Sequence, residues 1–476
     1  MEPLICGLRV NEWPRRPKVN SELEDLDRDM NIRNKLIAAS LVTILCAGSA
    51  LAQQQSPQGT GQQQVAGRGG VAPVRSPEIA QDGNVTFRLS APNAASVIAH
   101  NSTGGFADWP GGNEVTMTKG DNGVWSATIG PLKPEYYTYS FVVDGVRTLD
   151  PQNPVHTRNG MNYSNVLRVP GGLTTDYAVN DVPHGTVAQV WYPSPMLKLT
   201  RRLYVYTPPG YEVSKARYPV FYLLHGGGGD EGDWTNLGRA PEILDNLIAQ
   251  GKATPMIVVM TNENSNQIAS PDVGVPPLGG GPAAGAPARG TAQPGNPMQG
   301  QAMLTFPKSI VADLIPFIDT AFRTLPDRDN RAIAGLSMGG GMTLLAAFNN
   351  LDEFAWVGTF SAGLPPMPGV AVAINPPLPN AASLRGPDVN NTIDKQKLAA
   401  LLPQLDASAN AKLRLYYVGI GAEDGLITAH NAYKELLNEK GVNATIVEMH
   451  GYGHEWAFWR IALHDFAPRL FKPQAK

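Results

Sequence analysis

Arg331-Ala332-Ile333-Ala334-Gly335-Leu336-Ser337-Met338-Gly339, followed by Gly340-Gly341-Met342-Thr343-Leu344-Leu345-Ala346-Ala347-Phe348, is the stretch on which the fold of this chain turns. Ala332-Ile333-Ala334 is apolar without alternation and reads as a strand buried on both faces. Met342 to Phe348 reads as a helix, so Gly335-Leu336-Ser337-Met338-Gly339 must reverse the chain within a few residues. A serine on such a strand-to-helix turn carries its hydroxyl above the end of the sheet, and its neighbours must be small because the backbone there is strained and crowded. The pentapeptide alone is also compatible with a structural serine at a glycine turn. The strand before it and the helix after it favour a nucleophile.

Outward from this turn, from about residue 184 onward, apolar runs alternate with longer amphipathic stretches. Candidate strands are Leu203 to Thr207, Val220 to Leu224, Met256 to Met260, Arg331 to Gly335, Val357 to Phe360, Leu413 to Gly419 and Thr445 to Met449, with Ile310 to Phe322 a candidate helix. Continuous apolar strands between amphipathic helices predict a mostly parallel central sheet with helices on both faces. Two segments interrupt the pattern: 268–301, nearly chargeless and rich in Gly, Pro and Ala, and 364–391, rich in Pro and Asn. Each follows a candidate strand and should emerge at the carboxyl edge of the sheet, where open α/β sheets bind ligands. They are read either as lids or as plain insertions.

Upstream of the serine, Leu223-Leu224-His225-Gly226-Gly227-Gly228-Gly229 ends a strand in glycines, which let backbone N–H groups approach a ligand closely. Acyl chemistry at Ser337 needs two donors aimed at the developing negative oxygen, each typically worth about 3 kcal/mol of barrier. Gly227 and Met338 are the candidates. A plain turn or a phosphate cradle is the competing reading, weakened because no Lys-Ser/Thr follows. In a chain ordered serine, acid, histidine, the general base belongs after the last strand. His454, in Gly451-Tyr452-Gly453-His454-Glu455-Trp456, lies there on a glycine-bearing loop; His450 ends the strand and His464 lies in the terminal helical run. The acid belongs after the penultimate strand, in Gly421-Ala422-Glu423-Asp424-Gly425. Asp424 is preferred over Glu423 because it is shorter and directly precedes the turn glycine, with a helix cap for Leu426 to Leu437 as its alternative role. Trp234, Glu455 and Trp456 are candidate substrate contacts near the loop and the histidine, although large rings more often serve as core, the reading favoured for Trp459.

The first 170 residues read differently. Val71 to Pro170 carries short alternating runs such as Val85-Thr86-Phe87-Arg88-Leu89 and Tyr137-Thr138-Tyr139-Ser140-Phe141-Val142, split by Asp82-Gly83, Asn122-Gly123 and Asp144-Gly145. Period-2 patterning with these turns predicts a small antiparallel β-sandwich over 71–170, joined by a linker at 171–183 to an α/β region at 184–476. Within it Trp109 is a candidate sugar contact and Trp125 reads as core. Residues 53–70 are rich in Gln and Gly and read as a tether. Met30-Asn31-Ile32-Arg33-Asn34-Lys35, the apolar run Leu36 to Ala47 and Ala50-Leu51-Ala52 form an expected signal peptide at 30–52, cut before Gln53, with a membrane anchor as the rival reading. Residues 1–29 are expected to reflect a mis-set start. Both cysteines, Cys6 and Cys46, precede the cut, so neither a disulfide framework nor a thiol nucleophile is expected in the exported chain. A formal net charge of −3 offers no basic field for nucleic acid.

On these residues, the region from about His184 to Phe471 resembles carbohydrate esterase family 1, the esterase-D-like group of feruloyl and acetylxylan esterases. The resemblance is carried by Arg202-Leu203-Tyr204-Val205-Tyr206-Thr207-Pro208-Pro209-Gly210-Tyr211, His225 to Trp234, Ala334 to Gly340 and Gly453-His454. It implies an α/β-hydrolase fold, a triad at Ser337, Asp424 and His454, oxyanion donors at Gly227 and Met338, and no metal or cofactor. Its implied partner is an ester substrate, an acylated plant polysaccharide or oligosaccharide bearing feruloyl or acetyl groups. Glu455 stands where members often carry Thr, and the insertion from about Ile268 is a further departure. The sandwich resembles an early-set, family 48 carbohydrate-binding-module-like domain through Tyr137 to Gly145 and Asp150-Pro151-Gln152-Asn153-Pro154, which would add a glycan contact. A siderophore (enterochelin-type) esterase or an acyltransferase on the same fold is the alternative enzyme, and a catalytically silent carbohydrate-binding protein the alternative outside enzymes. Export to the periplasm or the medium, with no integral membrane segment after cleavage, is the expected location.

Overall fold

The computed structural model describes residues 74–102, 109–110, 112–160, 162–271, 304–364 and 393–472. The expected start region at 1–29, signal peptide at 30–52, tether at 53–70 and most of 268–301 and 364–391 lie outside the described residues. Ala72–Lys476 forms one compact unit. Among the described residues no helix is long and apolar enough to cross a membrane.

Among the described residues ten strands come first: β1 (Glu78–Ile79), β2 (Val85–Ser90), β3 (Val97–Asn101), β4 (Glu114–Thr116), β5 (Thr118–Lys119), β6 (Val124–Ile129), β7 (Glu135–Val143), β8 (Val146–Thr148), β9 (His156–Asn159) and β10 (Asn162–Val169). They form two antiparallel sheets, ordered β1-β2-β6-β5 and β4-β3-β7-β10-β9, with β8 pairing β7. Alternate residues point inward, so Val85, Phe87 and Leu89 of one sheet meet Val97, Ala99, Tyr139 and Phe141 of the other. The turn after β7 holds Asp144 at φ 47° and Gly145 at φ 85°, the left-handed pair a two-residue hairpin requires. The sugar-contact expectation for Trp109 is corrected here: its ring is buried and stacks on Phe87 with centroids 5.2 Å apart. A ring consumed by the sandwich core offers no face to a sugar.

Eight further strands build one sheet: β11 (Thr186–Ser194), β12 (Leu199–Thr207), β13 (Val220–Leu224), β14 (Ile257–Met260), β15 (Arg331–Leu336), β16 (Trp356–Phe360), β17 (Leu415–Gly421) and β18 (Thr445–Met449). The order is β11-β12-β14-β13-β15-β16-β17-β18; β11, β12 and β14 pair antiparallel and every later pair is parallel. This is a mixed, mostly parallel α/β-hydrolase sheet. Successive residues of one strand serve opposite faces: Val220, Tyr222 and Leu224 join the cluster around Ile310, Leu344 and Phe348, whereas Phe221 and Leu223 join that around Trp234, Leu244 and Phe466. Each fully buried side chain of this kind contributes roughly 1.5–3 kcal/mol relative to exposure. Both faces are covered, which is why the strands read as unbroken apolar runs. From β13 the chain goes to β14 on one side and returns to β15 on the other. The carboxyl ends of β13 and β15 therefore flank a topological switch point, the crevice where such sheets bind ligands.

Candidate active site

Ser337 follows β15 directly and opens the helix Ser337–Ala347 with φ 49°, a left-handed conformation that a non-glycine residue adopts only when its surroundings impose it. The surroundings are tight. A Cβ on Gly339 would fall 2.2 Å from the carbonyl oxygen of His225, and one on Gly335 would fall 2.5 Å from that of Gly339. Gly363 N donates to the Ser337 carbonyl over 2.8 Å, fixing the turn from the adjoining loop.

From this turn Ser337 Oγ lies 2.9 Å from His454 Nε2, and His454 Nδ1 lies 3.0 Å from Asp424 Oδ2 and 3.2 Å from Oδ1. A carboxylate only accepts, so Nδ1 carries the proton and Nε2 is left to accept from the serine hydroxyl. The structure thus brings together residues from the ends of three parallel strands, β15, β17 and β18. Burial pulls the His454 pKa down, but the Asp424 carboxylate in contact with it outweighs burial and the net shift is upward. Burial likewise pushes Asp424 up, and the charge and hydrogen bond of His454 bring it below its ordinary value. Asp424 Oδ1 also accepts from Leu426 N at 2.8 Å, so the same carboxylate holds the imidazole and the start of the following helix.

The other sequence candidates fall elsewhere. Glu423 accepts from Gly451 N at 2.8 Å and Tyr452 N at 3.0 Å, bracing the loop that carries His454. His464 lies on the helix Trp456–Phe466 and pairs with Asp176 at 2.8 Å; His450 directly follows β18. The substrate-contact expectations for Trp234, Trp456 and Glu455 are corrected by burial. Trp234 is 1% exposed, donates Nε1–H to the Leu224 carbonyl at 2.9 Å and meets Phe360 and Trp456 edge to face. Trp456 is buried against Trp459, itself buried, and buried Glu455 accepts from Gly453 N at 2.8 Å.

Opposite the serine, the glycine loop after β13 approaches closely: a Cβ on Gly226 would stand 3.3 Å from Ser337 Cβ. One on Gly227 would meet nothing within 4 Å, so Gly227 borders open space. Met338 lies in the first turn of its helix, where no helical carbonyl reaches the N–H. The arrangement sets a serine hydroxyl, an imidazole and a carboxylate in one hydrogen-bonded line beside a glycine loop. Among the described residues, no group of three or more His, Cys, Asp or Glu side chains is placed to hold a metal.

Sequence reasoning passed over His225 and Glu263. The His225 imidazole is fully buried, with Nδ1 2.6 Å from the Gly226 carbonyl oxygen and Nε2 2.7 Å from Glu263 Oε2. Glu263 also accepts from His225 N at 2.8 Å and from Thr261 Oγ1. Burial would lower the imidazole pKa, yet Glu263 pushes it up to about 9, and the Glu263 backbone N–H also approaches Nε2 at 3.0 Å. A histidine directly before a glycine run was the available signal. Its partner became visible only once β14 was seen to lie beside β13.

The esterase family profile matches residues 194–470. An endo-1,4-β-xylanase/feruloyl esterase of Xylanibacter ruminicola is 30% identical over 403 residues, 83% of this chain and 46% of that protein. Endo-1,4-β-xylanase Y of Acetivibrio thermocellus is 30% identical over 168 residues, 33% of this chain and 12% of that protein. The chain therefore spans about half the length, or less, of these curated relatives. Among solved structures, the enterobactin esterase of Shigella flexneri superposes with a TM-score of 0.52 at 16% identity, covering 83% of this chain and 94% of that one, a likeness of fold. With the family profile spanning more than half of its length, this chain belongs to the esterase family.

Proposed function

We propose that this chain is an exported serine carboxylic-ester hydrolase acting on acylated plant polysaccharide or oligosaccharide, with feruloyl or acetyl groups as the acids released. What supports the reaction most is the line from Ser337 Oγ through His454 to Asp424, 2.9 Å and 3.0 Å at its two links. In this reading Ser337 Oγ attacks the ester carbonyl carbon while His454 Nε2 takes its proton. The carbonyl oxygen becomes an anion facing the N–H groups of Gly227 and Met338. As the intermediate collapses, the bond to the alcohol breaks and His454 returns the proton to the leaving oxygen. Water then attacks the acyl-enzyme, again giving its proton to His454, and the free acid departs as Ser337 is restored. Asp424 holds the imidazole in one tautomer throughout and stabilises the imidazolium.

The substrate class rests on the sequence resemblance and on the relative named as a xylanase and feruloyl esterase. Export rests on the pattern at 30–52, and the early-set assignment of 71–170 on its own resemblance. The test of the reaction is hydrolysis of 4-nitrophenyl acetate by the wild type and by Ser337→Ala. Wild-type turnover no greater than the variant's sinks the esterase reading and leaves the carbohydrate-binding one. The substrate is tested by incubating the protein with feruloylated arabinoxylan, acetylated xylan and a catecholate triester. Release of ferulate or acetate is expected; release from the triester alone selects the siderophore-esterase reading instead.

A further inference from the structure

An oxyanion donor works only if its peptide is held to within about 0.5 Å, and a run of glycines has no side chains with which to hold itself. The loop after β13 is such a run, with Gly228 at φ 82°. Two of the groups that fix it come from the β-sandwich. Arg158 of β9 forms a bidentate pair with Asp230 at the far end of the loop, Nη1 to Oδ2 at 2.5 Å and Nη2 to Oδ1 at 2.7 Å, and both residues are at most 5% exposed. Arg158 Nη1 also donates to the Gly160 carbonyl at 2.7 Å, while Asp230 Oδ1 accepts from Gly232 N at 3.0 Å. The turn after β9 and the glycine loop are thus joined through one guanidinium. At the loop's apex the contact is direct, since a Cβ on Gly160 would fall 2.6 Å from the Gly228 carbonyl oxygen.

An ion pair is an expensive way to glue two layers together, because an apolar contact of similar size would hold them as well without desolvating charge. What the fork of a bidentate pair adds is direction. The second buried ion pair between the layers lands beside the other half of the site. Arg460 donates to Glu135 Oε1 at 2.8 Å from the helix Trp456–Phe466, which begins two residues after His454. Both anchors therefore reach segments adjoining the candidate reacting groups.

Resting on the serine-esterase reading above, we propose that the sandwich is a working part of the ester-cleaving site: Arg158, by holding Asp230, and Gly160, by seating against Gly228, aim the Gly227 N–H at the oxyanion. Arg158 is a positioning residue, since it acts through the loop and not on the substrate. Its loss weakens binding of the tetrahedral state more than binding of the ground state.

The test uses the full-length protein, 4-nitrophenyl acetate as substrate and phenylboronic acid, which forms a tetrahedral adduct on a serine, as probe. Wild type, Ser337→Ala, Arg158→Ala, Arg158→Lys and Gly160→Ala are compared, with melting temperatures recorded for each. In Arg158→Ala, kcat is expected to fall about tenfold, short of the roughly 10²–10³ that loss of a whole donor costs. KM should stay within about twofold, the signature of an interaction made in the transition state. Boronate affinity should fall by the same factor as kcat, and Arg158→Lys should recover part of both. Gly160→Ala keeps the ion pair and pushes on the Gly228 carbonyl, so it should show the same split even if Arg158→Ala does not fold. Wild-type kcat and boronate affinity in a folded variant, or a loss confined to KM, overturns the proposal while the esterase reading stands. Wild-type turnover no greater than that of Ser337→Ala overturns both.

Discussion

The imidazole of His225 and the carboxylate of Glu263 form a buried ion pair, 2.7 Å apart, directly beneath the glycine loop that faces Ser337. The His225 Nδ1–H donates to the Gly226 carbonyl over 2.6 Å. Because a trans peptide is planar, its C=O and N–H point in opposite directions. Holding the Gly226 carbonyl inward therefore turns the Gly227 N–H outward, away from the imidazole. Removing either partner leaves an uncompensated buried charge or an empty site, so Glu263→Gln and His225→Ala should each lose about 3–5 kcal/mol of stability in urea unfolding. The kcat should fall by about 10- to 100-fold. His225→Asn keeps a donor near the Nδ1 position and should recover part of the kcat; if it does no better than alanine, the carbonyl is not what the imidazole controls.

The same pair sets an alkaline limit. Glu263, with a smaller contribution from Asp233, raises His225 to about 9 in the folded chain, against about 6.5 unfolded. A raised pKa stabilises the fold fully below the unfolded value and ceases to do so as pH rises through the folded one. The contribution, about 3 kcal/mol, should be intact below about pH 6.5 and fade as pH passes 9. Urea midpoints measured from pH 6 to 10 should fall across that range and flatten in Glu263→Gln. An equal fall in that variant would assign the loss to other groups.

At the acid side the limit comes from His454. A general base must be neutral, and Asp424 raises the His454 pKa above its ordinary value despite burial. The acid limb of kcat/KM should therefore have its midpoint above about 6.5. The assignment is checked by an NMR titration of the imidazole in Ser337→Ala, which should show the raised value, and in the Asp424→Asn background, which should lower it. A titration unmoved by Asp424→Asn would separate the two groups electrostatically despite their 3.0 Å contact.

The adjacent carboxylates should behave unequally. Asp424 bonds the imidazole whereas Glu423 bonds the backbone at Gly451 and Tyr452. Asp424→Asn should cost kcat about 10⁴-fold, because an amide favours the wrong imidazole tautomer. Glu423→Gln retains an acceptor for the two N–H groups and should cost less than about tenfold. Parallel losses measured with 4-nitrophenyl acetate would contradict the division of labour.

These residues were legible to different degrees for physical reasons. The serine turn, Asp424 and His454 could be read because each depends on a strand end and a glycine close by in sequence, and β13 was bounded correctly because its apolar run is uninterrupted. The antiparallel edge strand β11 was missed. Thr186-Val187-Ala188-Gln189-Val190-Trp191 alternates weakly and leaves Trp191 and Val187 exposed, so it resembles an extension of the linker. Trp109, Trp234 and Trp456 were misjudged because position in the sequence places a ring near a site without saying which of its faces are occupied. Glu263 under His225 and Arg158 against Asp230 join residues 38 and 72 positions apart, and only the strand order and the packing of the sandwich bring them together.

Glycine crowding at the serine turn gives the last prediction. Gly339 has no positive φ in this structure, so its requirement is steric and not conformational. A Cβ there would meet the His225 carbonyl at 2.2 Å and Leu224 Cβ at 2.9 Å, both parts of β13 or its end. Neither is a flexible side-chain tip that can swing aside. Gly339→Ala must push the helix Ser337–Ala347 away from β13, which costs about 1–3 kcal/mol or more as overpacking. The shift also moves Ser337 relative to Gly227, so kcat should fall in the fraction that folds. Gly251, by contrast, has open space around its Cβ position but sits at φ 67°, so Gly251→Ala should cost only the backbone strain, about 1–2 kcal/mol, and leave kcat unchanged. Comparing the two by urea unfolding and 4-nitrophenyl acetate turnover separates strain at the site from strain elsewhere; equal effects on kcat would show that the turn is not held by packing against β13.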